Sequence, residues 1–592
     1  PVDYDNDGDM DLLVASPDVP SNGIYFFENA EGPVKYPVFK PGRWIGPAPR
    51  QLTVSHFDGE WLVLAEDRIY GGLKDGNGEP TAVIPYKPDF YAEGRDRQWK
   101  IVDYDGDGVR DLVIGASDWR EYGWDNAFNE NGEWTRGPIH GYVYVVRNTG
   151  SNDAPVYGPA EQIKPVDVFG TPSPNFADFD ADGDLDLVCG EFLDRLTYFE
   201  NTGTRTSPTY AEGRFLQYGG QPIRMDLEML QVSAVDWDKD GDTDLVVGQE
   251  DGRVALLEHT GNVEERMPVF LPPRFFQQQA ERLKIGALAT PYSVDWDGDG
   301  DEDIIAGDTA GYINFVENLD GGNPPRWAAP VYLKAGGETI RIQAGPNGSI
   351  QGPAEAKWGY TVPNVADWDA DGLPDIVINS IWGEVLWYRN AGTRAHPQLE
   401  KARPVEVEWE GDTPKPDWVW WEPKGKQLVT QWRTSPVVID LNRDGLNDLV
   451  MLDREGYLSF FERARRGDRL VLLPPQRVFY GDDGHPLRLN DRTAGKSGRR
   501  KFTMADWDGD GRLDILIDSV NVDFYRNVGT EGRPWTFRNE GKVDPHKLAG
   551  HDTCPTTVDW DRDGRRDLLI GAEDGFLYHL KNPAPSAPRE TP

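Results

Sequence analysis

One acidic phrase limits what this chain can fold into. It stands first as Asp3-Tyr-Asp5-Asn-Asp7-Gly8-Asp-Met-Asp11 and last as Asp559-Trp-Asp561-Arg-Asp563-Gly564-Arg-Arg-Asp567. Nine copies begin at Asp3, Asp103, Asp178, Asp236, Asp295, Asp367, Asp440, Asp506 and Asp559, spaced 53 to 100 residues apart. Alternate Asp side chains in a tight turn converge their oxygens on one point, and the Gly takes a backbone conformation that a Cβ would disfavour. A hard cation wanting six to eight oxygens, Ca²⁺, fits such a cage; zinc and copper, which prefer His and Cys, do not.

The expected ligands sit at positions one, three, five and nine. They are Asp3, Asp5, Asp7 and Asp11; Asp103, Asp105, Asp107 and Asp111; Asp178, Asp180, Asp182 and Asp186. The next three sets are Asp236, Asp238, Asp240 and Asp244; Asp295, Asp297, Asp299 and Asp303; Asp367, Asp369, Asp371 and Asp375. The last three are Asp440, Asn442, Asp444 and Asp448; Asp506, Asp508, Asp510 and Asp514; Asp559, Asp561, Asp563 and Asp567. An EF-hand would need a bidentate Glu at position twelve and helices on both sides. Here position nine is Asp, and runs such as Leu187-Val-Cys-Gly190 and Ile304-Ile-Ala-Gly307 follow, which read as strands ended by glycine. Ser55 to Ala65 keeps the strand-turn-strand outline with one of the alternating Asp residues and is read as a tenth repeat without metal.

After the strand each repeat continues with a turn, a second apolar run and an Asn-X-Gly turn, as in Asn201-Thr-Gly203, Asn390-Ala-Gly392 and Asn527-Val-Gly529. A Pro-X-aromatic start follows in many repeats, for example Pro208-Thr-Tyr210. About four short antiparallel strands per repeat describe a propeller blade. The whole pattern resembles the FG-GAP or VCBS repeats of integrin-α-like β-propellers. The resemblance implies an all-β propeller of four-stranded blades, seven to ten in number, stiffened by Ca²⁺. That scaffold hosts adhesins, receptors and carbohydrate-active proteins, so function has to be argued from sites. With no linker before Asn582, one array over 1–581 is expected, with residues 582–592 as a disordered tail.

The loops hold forty carboxylates, equal in size to the formal net charge of −40. Even with calcium bound, such a surface argues against nucleic acid as a partner and against anionic membranes. No apolar segment is long enough to insert into a membrane. Two cysteines, Cys189 and Cys554, give no disulfide framework, and Cys189 is expected as a small buried core residue. Calcium modules with dissociation constants of about 10⁻⁴–10⁻³ M fill outside cells rather than in cytosol. That argument predicts a secreted, cell-surface or periplasmic address. Because Pro1 directly precedes a strand and a loop, a trimmed N-terminus is expected.

Among 21 tryptophans, Trp237, Trp296, Trp368, Trp507 and Trp560 occupy loop position two, and a repeated position implies a repeated packing role. His259 replaces Asn in the turn and is likewise read as structural. The aromatics that break the repeat lie in insertions at 117–141, with Trp119, Arg120, Tyr122, Trp124 and His140, and at 409–432. A third insertion, 485–501, is basic. Long aromatic loops on a rigid scaffold point to function.

In propellers the segment entering the innermost strand shares a face with the turn between second and third strands, opposite the calcium turn. The entry segments here carry Arg95, Arg97 and Lys100; Lys357, Trp358 and Tyr360; Trp432 and Arg433; Arg499, Arg500 and Lys501; His551 and Asp552. Cations and rings on an acidic body predict an anionic glycan ligand, a uronic-acid or sulfated polysaccharide, with Trp119, Arg120, Tyr122, Trp124, Trp358, Trp432, Arg500 and Lys501 as binding residues. If the protein is an enzyme, β-elimination fits these groups, with His551, Tyr360, Lys357, Arg433 and Arg97 as candidates for carboxylate neutralisation and proton transfer. Competing readings are pairing of these cations with Glu66, Glu191, Glu250, Asp308 and Glu573, a glycoside hydrolase using such carboxylates, and a non-catalytic module that binds a glycan or a protein. No serine-elbow, phosphate-loop, dinucleotide or zinc spacing is present.

Overall fold

A computed structural model describes residues 1–582 apart from 18, 48–50, 58–59, 71–72, 74–79, 92–96, 281 and 491–497. Arg95, residues 491–497 of the third insertion and the tail after Asn582 therefore lie outside the described residues. What is described is β-structure with two short 3₁₀ turns, Asp125–Ala127 and Pro353–Glu355.

Each repeat forms a sheet of three to five strands in meander order, antiparallel apart from Tyr480–Gly481, which joins the Asp506 sheet in parallel. In the Asp178 repeat the strand Ser173–Ala177 runs into the acidic loop and returns as Asp186–Gly190, with Ser173 opposite Gly190 and Ala177 opposite Asp186. Leu196–Phe199 and Arg214–Phe215 complete it. Leu187, Val188 and Cys189 are all buried, because both faces of the sheet are covered by neighbouring sheets. In the tenth repeat Leu52–Phe57 and Glu60–Ala65 pair up to Phe57 opposite Glu60, with two residues between the paired ends where the Asp178 repeat has eight.

The contacts divide the chain into two compact units, one formed by Pro1–Pro17, Ser21–Gly123 and Arg136–Glu281, the other by Asp18–Pro20, Trp124–Thr135 and Arg282–Pro592. This differs from the single array over 1–581 read from the absence of a linker. The physical reason is ring closure. In the first unit five sheets are joined by successive apolar clusters, and a last cluster packs Trp237, Val246 and Leu256 of the fifth sheet against Leu12 and Phe39 of the first repeat. There Gln277–Gln278 pairs in parallel with Val38–Phe39, and Trp237 Nε1 donates to Lys35 O at 2.8 Å. In the second unit five sheets follow the same scheme, and Val558 and Leu569 pack back onto Ile285, Ala289 and Ile304. With its fifth sheet packed on its first, neither unit offers a bare sheet face to a sixth.

The loop tryptophans take the packing role expected of them, since Trp237, Trp296, Trp368 and Trp507 are buried in these inter-sheet clusters. Both cysteines are free and buried, and burial raises both thiols, Cys554 to about 12. Lys100, expected at an entry segment, instead lies wholly buried on the strand Gln98–Val102, bonded to Asn175 Oδ1 and Val232 O. Desolvation pulls its ammonium down to about 7.

Candidate calcium loops and candidate ligand site

All nine loops share one backbone path. Position four is left-handed in every copy, with glycine at 106, 298 and 509 and non-glycine residues elsewhere, such as Lys239 (φ 63°) and Arg443 (φ 62°). The position-six glycine also has positive φ, 98° at Gly241, in open space, so conformation and not crowding requires it. Position nine is a clasp. Asp375 Oδ2 accepts from Trp368 N–H at 3.1 Å, and its Oδ1 accepts from Asn390 N–H at 2.7 Å. Asn390 Oδ1 in turn accepts from Gly392 and Gln398 N–H, which explains the Asn-X-Gly turn. His259 and Arg463 keep the clasp through their backbone N–H groups.

The oxygens left over test whether a cation fits. Asp3 Oδ1, Asp103 Oδ1, Asp105 Oδ1, Asp180 Oδ1, Asp238 Oδ1 and Asp369 Oδ1 are buried with no hydrogen-bond partner. Within Asp3/Asp5/Asp7, Asp103/Asp105/Asp111 and six further such groups, the candidate ligand atoms lie within 4.8 Å of one another. Buried carboxylate oxygens without a donor are costly unless a cation takes them, so the donor set fits Ca²⁺ held by positions one, three, five and nine. Burial holds the position-nine carboxyls up, to about 7 at Asp11 and Asp186 and about 6 at Asp244, Asp303 and Asp375. An unfolded Asp titrates near 3.9, so the folded form binds more protons between roughly pH 4 and 7, and stability falls as pH rises through that window. Calcium-stripped protein is therefore expected to melt higher at pH 5 than at pH 7.5, with the order reversed in excess calcium; thermal melts at both pH values check this.

The second unit gathers most of the entry-segment candidates. Arg433 is 2% exposed, with its guanidinium carbon 3.3 Å from the Tyr360 ring centroid, and Trp358 stands 5.6 Å from the same ring. Tyr360, Arg433 and Arg499 have φ of 47°, 55° and 65°. Met229 and Leu288 share this conformation at the corresponding entries, so it belongs to the blade frame and is not peculiar to a site. Lys501 is buried on Asp552, with burial lowering its pKa to about 8, and Arg500 bonds Asp518 at 3.1 Å. His551 donates its N–H to Glu573 Oε1 at 2.8 Å and holds the same oxygen with Nδ1. Its side chain is 76% exposed, and the bond to Glu573 raises its pKa against the opposing charges of Arg499 and Arg433. Lys357 is half-buried, its carbonyl taken by Gln343.

The repeat-breaking tryptophans lie deeper than a sugar platform would. Trp432 is 0% exposed and forms a core with Trp418, Trp420 and Ile350. Phe128 of the Trp124–Thr135 segment packs 5.7 Å from Trp420, and Trp134 donates its backbone N–H to Asn347. Trp124 is 49% exposed. The remaining candidates belong to the first unit: Arg97 is half-buried, Arg120 is clamped on Asp118 and lies 4.4 Å over Tyr91, and Trp119 and Tyr122 pack edge to face. Arg120, Arg500, Lys501 and His551 thus each pair with a carboxylate.

One residue escaped the sequence reading. Glu355, on the 3₁₀ turn of the long 340–361 connection, is wholly buried, accepts from Ser349 Oγ and Gln351 N–H, and leaves Oε1 without a hydrogen-bond partner. Burial pushes its carboxyl up, against the charges of Arg433 and Arg499. The length of that connection was the available signal.

Fold and loops together define a class: a β-propeller repeat protein in which an acidic, cation-fitting turn joins two neighbouring strands of each repeat's sheet. The FG-GAP-like repeat profile matches residues 178–247, 236–306 and 506–570, so these stretches are FG-GAP-like repeats. Among curated proteins, integrin alpha-X of Mus musculus is 24% identical over 190 residues, covering 28% of this chain and 15% of that protein. Two solved structures of BBS1N in complex with ARL6DN, soaked with lead or with mercury, are 11% identical, cover 70% of this chain and 92% of theirs, and superpose with TM-scores of 0.20 and 0.19, too low to bear on architecture. Among the described residues no helix is long and apolar enough to cross a membrane.

Proposed function

We propose that this protein is an extracellular recognition module, stiffened by up to nine structural calcium ions, that binds an anionic glycan at the entry face of its second unit. One observation carries the reading: exposed His551 and half-buried Arg499 lie in the field of buried Arg433 on a chain of net charge −40. Local positive charge on an acidic body selects a carboxylate- or sulfate-bearing ligand by Coulomb attraction and charge-assisted hydrogen bonds. With Trp358, Tyr360 and Trp432 buried, charge rather than ring stacking supplies the contact. An acidic protein surface would use the same groups, in keeping with an adhesion role.

The His551–Glu573 pair favours a second reading, cleavage. A carboxylate on Nδ1 orients an imidazole for proton transfer at Nε2. In β-elimination of a uronate the C5 proton leaves to a base, the C4–O bond breaks, a C4–C5 double bond forms and the departing oxygen takes a proton. Tyr360, Lys357 and Arg433 are the groups beside which such a base would work, and Arg97, in the other unit, is not needed.

Calorimetric titration with uronic-acid and sulfated polysaccharides in excess calcium tests both readings. Arg499→Ala with His551→Ala is expected to weaken binding about tenfold, the loss of two charge-assisted contacts. Equal affinity of variant and parent would overturn the assignment of this face. Absence of the unsaturated product's ultraviolet absorbance on every bound polysaccharide would remove the cleavage reading alone.

A further inference from the structure

Two positions vary together around the acidic loops. In the repeats beginning at Asp3, Asp178, Asp236 and Asp295, loop position seven is Asp9, Asp184, Asp242 or Asp301, and the residue before the clasped turn is Glu28, Glu200, Glu258 or Glu317. In those beginning at Asp103, Asp367, Asp506 and Asp559, position seven is Val109, Leu373, Arg512 or Arg565, and the residue before the turn is Arg147, Arg389, Arg526 or Lys581. The Asp440 repeat mixes the two, with Leu446 and Glu462.

The geometry gives this pattern a meaning. In the second group the residue before the turn reaches the loop carboxylates. Arg147 Nε lies 3.1 Å from Asp105, Arg389 lies 2.5 and 2.8 Å from Asp369 and Asp371, and Arg526 Nε lies 2.6 Å from Asp508. Lys581 contacts Asp561 and lies 2.8 Å from Asp563. In the first group the position-seven carboxylates instead add buried oxygens: Oδ1 of Asp9, Asp184, Asp242 and Asp301 has no hydrogen-bond partner, and Asp9 and Asp184 are more than nine-tenths buried. Cations do reach these loops as well: Arg394 lies 3.3 Å from Asp295 and Lys239 Nζ donates to Gly8 O, while at the other two loops the cation is shared with the flanking glutamate. Lys35 bridges Asp238 and Glu258 at 2.5 and 2.7 Å, and Arg266 bridges Asp182 and Glu200, both at 3.0 Å.

We infer that the calcium loops form two affinity classes, with the four acid-flanked loops tight and the four base-flanked loops weak, because in the latter a side-chain cation already neutralises the cage. The inference rests on the loops taking calcium at all. The classes differ by three unit charges, or four where position seven is Arg512 or Arg565, close to a dication, which in a water-like dielectric with physiological salt separates their dissociation constants on the order of 10–100-fold. Ligand charge count tunes calcium sites in the same direction. Three of the tight loops fall in the first unit and three of the weak ones in the second, so the first unit should respond at lower calcium.

Calcium alone, titrated into the full chain in competition with a chromophoric chelator, is the test. A biphasic isotherm with about four tight equivalents is expected. Asp184→Asn should remove one tight equivalent. Lys581→Gln, a change at a half-exposed side chain that leaves the core untouched, should tighten one weak equivalent several-fold. A single class of sites, or a Lys581→Gln isotherm identical to the parent's, would overturn the two-class inference while leaving calcium binding in place. No binding in any phase would overturn the calcium reading itself.

Discussion

Chelating calcium with EDTA at neutral pH is expected to lower the melting temperature of this chain by roughly 10–15 °C. At a free calcium concentration ten times the dissociation constant, each filled loop contributes about 1.4 kcal/mol. Four or five loops act on each compact unit, giving about 6 kcal/mol per unit, and each kilocalorie shifts a domain of this size by about 2 °C. The physical source is the set of buried carboxylate oxygens, such as Asp105 Oδ1 and Asp369 Oδ1, that find no donor within the protein. Differential scanning calorimetry in excess calcium and in EDTA is the measurement. Magnesium, which demands tighter octahedral geometry and keeps its waters, should restore little of the loss. A melting curve indifferent to EDTA would remove calcium from the account of stability.

The other large effect is expected at Trp432. Replacing it with Ala should cost about 3–5 kcal/mol, the usual range for emptying a large aromatic site in a packed core. Its ring stands 6.0 Å from Trp420 in a T-shaped pair, and a Cβ at Gly498 would meet it at 2.6 Å, so the surroundings have little room to relax. Denaturant unfolding of the variant measures the loss. Polysaccharide affinity measured on the folded fraction should stay within about twofold, because the ring has no exposed surface to offer a ligand. A variant that keeps its stability and loses its ligand would return Trp432 to the binding surface.

These cases mark where sequence alone speaks clearly. The acidic loops, the strands beyond them and the Asn-X-Gly turns were legible because each is a local motif enforced by backbone geometry. Trp237 and its equivalents were legible because a position that repeats has a repeated neighbour. Ring closure was not. Every sheet presents a similar apolar face to the next, and nothing local marks Leu12 and Phe39 as the residues that meet Trp237 and Val246. The aromatic insertions were legible as departures from the repeat. Their burial was not, since Trp418, Trp420 and Trp432 cover one another only after the connections have folded. Glu355 stayed hidden because no motif announces a buried carboxylate on a glycine-rich connection.

The clasp at loop position nine has a consequence beyond the loop. Slipping the strand Asp375–Asn379 by one residue would turn Ile376 and Ile378 to the opposite face and, in the same step, strip Asp375 of the N–H groups of Trp368 and Asn390. All nine repeats keep the bond from the turn N–H to the position-nine Oδ1 and seven keep both bonds, so each contains its own register pin, spanning fewer than fifty residues. A repeat of this kind can be copied or lost during gene duplication without its neighbours having to find a new alignment. Duplication alone cannot copy the closing seam, so the seam, and not the blade, sets how many repeats one ring can hold.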